Sequence, residues 1–155
     1  MFRRMLRTFI VVSALLIHSA SAQGVFRGGW TVIDAQPAPW IKETAERSRI
    51  RADPKMSHAQ ISFLPNRIDG PQPVACRDPH YQVVQAPLVD LFEGGLDDPD
   101  RGMTDPQGVA ATLGFRGPTS TTLQSGCELE FHMVDENTAL FALNNIIYTL
   151  RRHSP

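Results

Sequence analysis

The sequence predicts a mainly β domain, a small antiparallel barrel of eight strands with one short helix in a long insertion. Two observations lead to this prediction. Apolar residues recur at every second position in short segments bounded by turn-forming residues, as in Ala59, Ile61 and Phe63. Several connections between these segments are also short enough for hairpins, so neighbouring strands are expected to pair antiparallel. A half-open barrel or a β-sandwich is the alternative architecture.

The predicted elements follow in chain order. A first strand covers Gly29 to Asp34 and ends at two prolines. The mixed charges of residues 41–54 predict a short surface helix or an irregular excursion. Further strands are expected at 59–63, in the stretch LPNRIDG, and at 73–76, 81–87, 127–134, 139–144 and 146–152. Asn144 and Asn145 join the last two strands, because asparagine tolerates the positive φ of a tight hairpin turn.

Residues 87–117 interrupt the strand rhythm with an acidic, glycine-rich insertion that contains one well-signalled helix. Asp105 is expected to cap its N-terminus, Pro106 suits the first helical position, and Gly114 can take the left-handed conformation that ends a helix. The helix is expected to pack on the barrel or sheet through its apolar side, Val109, Ala110 and Leu113.

The N-terminus predicts a signal peptide over residues 1–22, followed by a single domain over residues 23–155. Three arginines precede an apolar run, Phe9 to Ile17, that is shorter than the roughly 20 residues of a membrane-spanning helix. The small residues SASA then end at Ala22. We therefore expect a periplasmic or secreted protein with no stable membrane insertion after cleavage.

The charge of the expected mature chain disfavours nucleic acid as a partner. Cleavage removes three of the 15 Lys and Arg residues and leaves 12 against 16 acidic side chains, a net charge of −4. Binding to phosphates relies on clustered basic residues, and this chain has two lysines and no basic stripe.

The two cysteines, Cys76 and Cys127, are expected to form a disulfide in an oxidising compartment. Because they lie 51 positions apart, the bridge would restrict the unfolded chain by roughly 4 kcal/mol. A zinc site that adds His80 and His132 is the rival hypothesis, but spacings of four and five residues match no usual finger or ribbon pattern. No metal or other cofactor is expected.

The sequence favours a protein without enzymatic activity. It contains neither a Gly-x-Ser-x-Gly elbow nor a His-Glu-x-x-His motif. Glu128 and Glu130 lie about 7 Å apart on one face of a predicted strand and could form a carboxylate pair, but their alternation with core residues predicts a solvated face that also includes His132. The spacing places no partner beside any of the four histidines of the mature chain, His58, His80, His132 and His153.

The two ends of the predicted domain resemble the lipocalins, a family of calycin-type barrels. GGW, Gly28 to Trp30, is similar to the Gly-x-Trp signature of that family's first strand, and YTLRR is similar to its final strand. The resemblance implies an eight-stranded barrel in which Arg151 or Arg152 stacks on Trp30. The chain also resembles a group of small exported proteobacterial proteins without assigned activity, through the blocks APW, LFEGGL and IYTLRR.

An eight-stranded barrel either fills with its own side chains or holds one small ligand, and this choice decides the predicted function. The first hypothesis is non-catalytic binding of a small apolar ligand among the aromatic residues that alternate inward, Trp30, Phe63, Tyr81, Phe131, Phe141 and Tyr148. The alternative is a protein-interaction module, such as a periplasmic hydrolase inhibitor or an envelope-assembly factor. Its acidic loop would suit a basic enzyme cleft, through Asp97, Asp98 and Asp100.

Overall fold

The computed structural model describes residues 24–153, which contain one antiparallel sheet of nine strands. The strands are β1 (Gly28–Pro37), β2 (Gln60–Leu64), β3 (Arg67–Asp69), β4 (Cys76–Arg77), β5 (Gln82–Pro87), β6 (Thr119–Gln124), β7 (Glu130–Asp135), β8 (Thr138–Leu143) and β9 (Ile146–Arg152). The connections contain α1 (Thr44–Arg47), α2 (Leu91–Gly94) and α3 (Pro106–Thr112), with single 3₁₀ turns at Pro54–Met56, Leu88–Asp90 and Pro99–Arg101.

The sheet curls into a half-open barrel. Its strand order is β4-β3-β2-β1-β9-β8-β7-β6-β5, so β4 and β5 are edges that do not pair with each other. Phe63 on β2 and Phe131 on β7 lie four strands apart in this order, yet their ring centroids are 4.9 Å apart across the interior. The mainly β prediction is confirmed, and the half-open alternative describes the architecture.

The predicted count of eight strands is wrong by one, because it does not include β6. The sequence of β6, TSTTLQ, is rich in hydroxyl side chains and shows no apolar alternation. Ser120 and Thr122 are nevertheless buried, since they point to the face of the sheet that the insertion covers.

Predicted boundaries also differ. The strand expected at 73–76 is only Cys76–Arg77, β1 continues to Pro37, and the strand expected at 127–134 begins at Glu130. β3 lies within the expected stretch LPNRIDG, and the other strand ends differ by one residue at most.

Two hydrophobic cores lie on opposite faces of the sheet. The inner core fills the concave face, and the outer core lies between the convex face and the insertion. On β9 the two are neighbours in sequence, since Tyr148 is buried in the inner core and Ile147 in the outer core. Strands β8 and β9 are therefore apolar on both faces, as expected of strands that are covered on both sides.

The local signals of the sequence are confirmed. An oxygen of the Asp105 side chain accepts a hydrogen bond from Gly108 N at 2.9 Å at the start of α3, and Gly114 has a φ of 95° just beyond its end. Asn144 and Asn145, between β8 and β9, have φ values of 51° and 61°. The apolar side of α3 packs on the sheet as expected, since Ala110 is fully buried in the outer core and Val109 and Leu113 are half-buried against it.

The predicted signal peptide, residues 1–22, and the predicted domain start at residue 23 lie outside the described residues. Within residues 24–153, the structure contains no helix that is both long enough and apolar enough to cross a membrane.

Candidate functional site

The aromatic residues that were expected around a ligand form a packed inner core. Trp30, Phe63, Phe131, Phe141 and Tyr148 are all at most 2 % exposed. Consecutive ring centroids in the series Phe63, Phe131, Phe141 and Tyr148 lie 4.9, 5.3 and 5.1 Å apart. At these distances the rings are in contact and leave no room for a ligand between them. Tyr148 also lines a surface depression of about 290 Å³, whereas Phe63, Phe131 and Phe141 do not.

One end of the barrel is closed around Trp30. The Trp30 indole Nε1 donates a hydrogen bond to the Phe26 carbonyl at 2.9 Å, and the Arg152 guanidinium carbon lies 4.2 Å from the centre of the Trp30 ring. Of the two candidate arginines, Arg152 therefore makes the cation-π contact, while Arg151 is exposed. The Arg152 guanidinium also donates to three backbone carbonyls, those of Val25, Arg27 and Glu136.

A covalent bridge and one hydroxyl hold the two edges of the sheet together. Cys76 on β4 forms a disulfide with Cys127, which lies between β6 and β7. Tyr81 directly precedes β5 in the chain, and its hydroxyl lies 2.9 Å from the carbonyl oxygen of Leu64 and 3.2 Å from that of Arg67. Tyr81 is thus a half-buried bridge across the opening, and both cysteine sulfurs are used in the disulfide.

The described residues contain no cluster of three or more His, Cys, Asp or Glu side chains that could hold a metal ion. The histidines were the other candidates for chemistry. His58, His80 and His153 are exposed. The His153 Nε2 atom lies 2.6 Å from Thr31 Oγ1, and none of the three forms an ion pair with Asp or Glu inside residues 24–153.

His132 does not lie on a solvated face, as the alternation of β7 predicted, but is 1 % exposed beneath the insertion. Phe92 N donates to His132 Nε2 at 3.1 Å, so the ring proton of a neutral His132 is on Nδ1, which lies 2.9 Å from Thr122 Oγ1. The Phe92 ring meets the imidazole edge to face at 4.6 Å. Burial lowers the pKa of His132 to about 3, and the residue is therefore a neutral link between sheet and insertion.

Phe92 reaches His132 through a strained turn. Phe92 and Glu93 in α2 have φ values of 54° and 58°, and Gly94 continues with 80°. For residues other than glycine this conformation costs roughly 1–2 kcal/mol each. The contacts of the buried Phe92 ring with Trp40, Phe115 and His132 offset that cost. The turn leaves Glu93 exposed beside the buried ring.

Glu93 lies at the rim of a surface depression that we call the outer groove. Its first part, of about 190 Å³, is lined by Trp40, Phe92, Glu93, Glu128, Glu130 and the Asn144–Asn145 turn. Its second part, of about 440 Å³, shares Trp40 and Asn145 with the first and continues along Lys42, Glu43, Glu46, Asp100 and Arg101. The Trp40 Nε1 atom donates to the Asn145 side-chain oxygen at 2.9 Å and joins the two parts.

The outer groove is negatively charged. Six of its lining residues are Asp or Glu and two are basic. Both basic groups have partners: Lys42 donates to the Gly102 carbonyl, and Arg101 lies 3.3 Å from an Asp98 carboxylate oxygen. Glu128 is exposed, whereas the half-buried Glu130 accepts a hydrogen bond from the Gln124 amide at 2.9 Å.

The predicted acidic loop does not present its three aspartates together. The Asp98 side chain caps the 3₁₀ turn Pro99–Arg101 by accepting from Arg101 N, and it also pairs with the Arg101 side chain. Asp97 and Asp100 are exposed, but only Asp100 lines the outer groove. The acidic loop therefore contributes one carboxylate to the groove, whereas Glu93, Glu128 and Glu130 contribute three.

Because His132 is buried and neutral, we expect the free energy of unfolding to decrease as the pH falls. Its pKa is about 3 in the folded protein and about 6.5 in the unfolded chain, so below pH 6.5 only the unfolded chain gains the proton. Between pH 7 and pH 5 we expect this group to remove about 2 kcal/mol from the free energy of unfolding. Urea unfolding at both pH values measures the loss. The variant His132→Gln cannot titrate, and an equal loss in that variant would contradict the assignment.

Comparison of this chain with protein-family models, with curated proteins and with solved structures finds no match.

Proposed function

We propose that this protein is an exported, non-catalytic interaction module that binds a basic surface of a partner protein through the outer groove. One observation supports this proposal most directly: the interior, where a carrier of this architecture would hold its ligand, is filled by contacting aromatic rings. Recognition is then left to the outer surface. The disulfide and the predicted signal peptide both fit an oxidising compartment such as the periplasm.

The groove suits a cationic partner in charge and in shape. Exposed carboxylates line both of its parts, Trp40 lines both parts, and Phe92 lines the first. Arginine is enriched at protein interfaces because its guanidinium pairs with carboxylates and stacks on aromatic rings. The substrate cleft of a basic envelope hydrolase would offer such groups, which makes an inhibitor the form of the proposal that we favour.

The proposal predicts that binding depends on the groove carboxylates. The mature protein would be incubated with envelope extract of its own host and with a basic c-type lysozyme as a purified probe. We expect a basic hydrolase to bind the wild type, and the triple variant Glu93→Gln/Glu128→Gln/Glu130→Gln to lose at least tenfold in affinity by titration calorimetry. Charged contacts of this kind also weaken with salt.

A matched control removes the same charge elsewhere. The variant Asp78→Asn/Asp90→Asn/Glu136→Gln changes three exposed carboxylates that do not line the groove. It should bind like the wild type. Absence of any basic partner, or equal loss of affinity in both triple variants, would overturn the proposal.

Binding of a small apolar ligand inside the barrel remains the competing proposal. It would require rings such as Phe131 and Phe141, which are fully buried and in contact, to move apart. Native mass spectrometry of the mature protein separates the two proposals, because only a carrier would retain a small molecule.

A further inference from the structure

A second depression, the β1 cleft, lies apart from the outer groove. It has a volume of about 290 Å³, and the residues that define it are Val32, Asp34, Ala35, Asp53, Met56 and Tyr148. None of these residues lines the outer groove. The volume is close to the lower end of the range of about 300–1,000 Å³ that is usual for small-molecule sites.

The cleft exists because β2, which begins at Gln60, pairs only with the first part of β1. The β1–β2 ladder stops at the pair Thr31 and Gln60, and the last backbone bond on this side runs from Val32 N to Ala59 O at 2.9 Å. A β-bulge between Val32 and Asp34 then shifts β1 relative to β9. Beyond this point β1 pairs with β9 on one side, and on its other side no strand of the described residues lies against it. The chain segment 52–58 forms the wall of the cleft on that side.

The wall formed by β1 leaves backbone groups open to a ligand. Ala38 N bonds to Asn145 O at 2.8 Å, so the alternation of an antiparallel ladder directs the backbone groups of Asp34 and Gln36 to β9 as well. The N–H and C=O of Ala35 consequently face the cleft. β-Bulges are over-represented beside binding and active sites for this reason, since they change the direction in which groups point.

The lining of the cleft also includes a buried tyrosine. Tyr148 is 2 % exposed, and its hydroxyl oxygen accepts a hydrogen bond from Asp53 N at 3.0 Å. Among residues 24–153 no acceptor is found for the phenolic proton. A tyrosine hydroxyl can donate one bond while it accepts another. A hydroxyl oxygen, such as that of an alcohol, could accept this proton, whereas an ammonium group could not, so Tyr148 contributes its ring to the binding of an amine.

The charge of the cleft selects the sign of the ligand. Asp34 and Asp53 line it together with His58, and none of the described residues that line it is Lys or Arg. The Asp53 carboxylate accepts one bond from Lys55 N through Oδ1, and its other oxygen accepts no bond from residues 24–153. The apolar part of the surface comes from Val32, Met56 and the Tyr148 ring.

We propose that the β1 cleft binds a small amphipathic amine. Its ammonium group lies between the carboxylates of Asp34 and Asp53, and its apolar body lies on Met56 and the ring of Tyr148. This inference does not depend on the proposed protein partner, because the two sites have no lining residue in common.

Three probes that share a 2-phenylethyl group and differ in the charge of the head group test the proposal: 2-phenylethylamine, 2-phenylethanol and 3-phenylpropionate. Each would be titrated into the mature protein and followed through backbone amide chemical shifts. We expect the amine to bind most tightly and the carboxylate most weakly, with the largest shifts at Asp34, Ala35 and Asp53. Asp34→Asn should weaken amine binding about fivefold, the upper range for one partly exposed charge pair, and should leave binding of the alcohol unchanged.

The control is Asp78→Asn, which removes an exposed carboxylate outside both the cleft and the outer groove and should not alter amine binding. Tyr148→Phe adds a second readout, since it should weaken binding of the alcohol more than that of toluene. The proposal is overturned if the three probes bind equally, if no amide of the cleft shifts at 10 mM amine, or if Asp78→Asn weakens binding as much as Asp34→Asn does.

Discussion

Replacing Phe131 with alanine is expected to lower the free energy of unfolding by about 3–5 kcal/mol, as deletion of a buried aromatic ring usually does. Phe131 is fully buried on β7 and contacts Phe63 at 4.9 Å and Phe141 at 5.3 Å. It joins strands that are distant in the sheet, so the ring stabilises the curl of the half-barrel as well as its own strand. Urea unfolding followed by tryptophan fluorescence measures the change.

The same substitution also tests whether the interior is filled. If a cavity already lay beside Phe131, the ring would make fewer contacts. Its removal would then lower the free energy of unfolding by less than it does at a close-packed site. Phe131→Leu is the matched control, because it keeps most of the apolar volume and should cost clearly less than Phe131→Ala. A loss below about 1 kcal/mol for Phe131→Ala would contradict a packed interior.

Removal of the disulfide is the second large effect that we expect. The variant Cys76→Ala/Cys127→Ala should lose about 2–4 kcal/mol of stability, because the bridge spans 51 positions and restricts the unfolded chain. It also joins edge strand β4 to the β6–β7 turn across the open side of the barrel. The double variant leaves no single reactive thiol, which separates the loss of the bridge from unwanted dimerisation.

Two measurements check this expectation. Thiol titration of the denatured, oxidised wild type should detect no free cysteine, and the melting temperature should fall on reduction. Free thiols in the wild type, together with unchanged melting of the double variant, would contradict the account.

Local sequence signals were sufficient for most of the strands and for α3, because each depends on a few neighbouring residues. Asp105 and Gly114 bracket the helix, and Asn144–Asn145 closes the last hairpin. Strand β6 was missed since its buried hydroxyl groups owe their position to tertiary hydrogen bonds, such as that from Ser120 Oγ to Met133 O at 2.8 Å. No local apolar period marks such a strand.

The faces of β7 show why burial was harder to predict than strand position. Alternation placed Phe131 and Met133 on one side and His132 on the other, and this separation is observed. The side of His132 was expected to be solvated because a sheet with one alternating face usually contacts water on the other. The insertion covers that side instead, through contacts distant in sequence that the pattern of one strand does not contain.

The candidate site was predicted only in part. Alternation correctly directed Trp30, Phe63 and Phe141 inward, but whether inward side chains fill a barrel depends on the summed volumes of many strands. Glu128 and Glu130 were singled out as exposed carboxylates, whereas Trp40 and Glu93 were not. The left-handed turn that positions Glu93 is stabilised by the burial of Phe92, and no local motif indicates that conformation for Phe or Glu.

The central claim is that the barrel interior is occupied by the protein's own side chains and that recognition takes place outside it. Native mass spectrometry of the mature protein from its own envelope, with a denatured sample alongside, tests this claim most directly. We predict a native mass equal to that of the disulfide-closed chain, with or without a protein partner. A native mass that exceeds the denatured chain by a few hundred daltons would reveal a trapped small molecule and would contradict the claim.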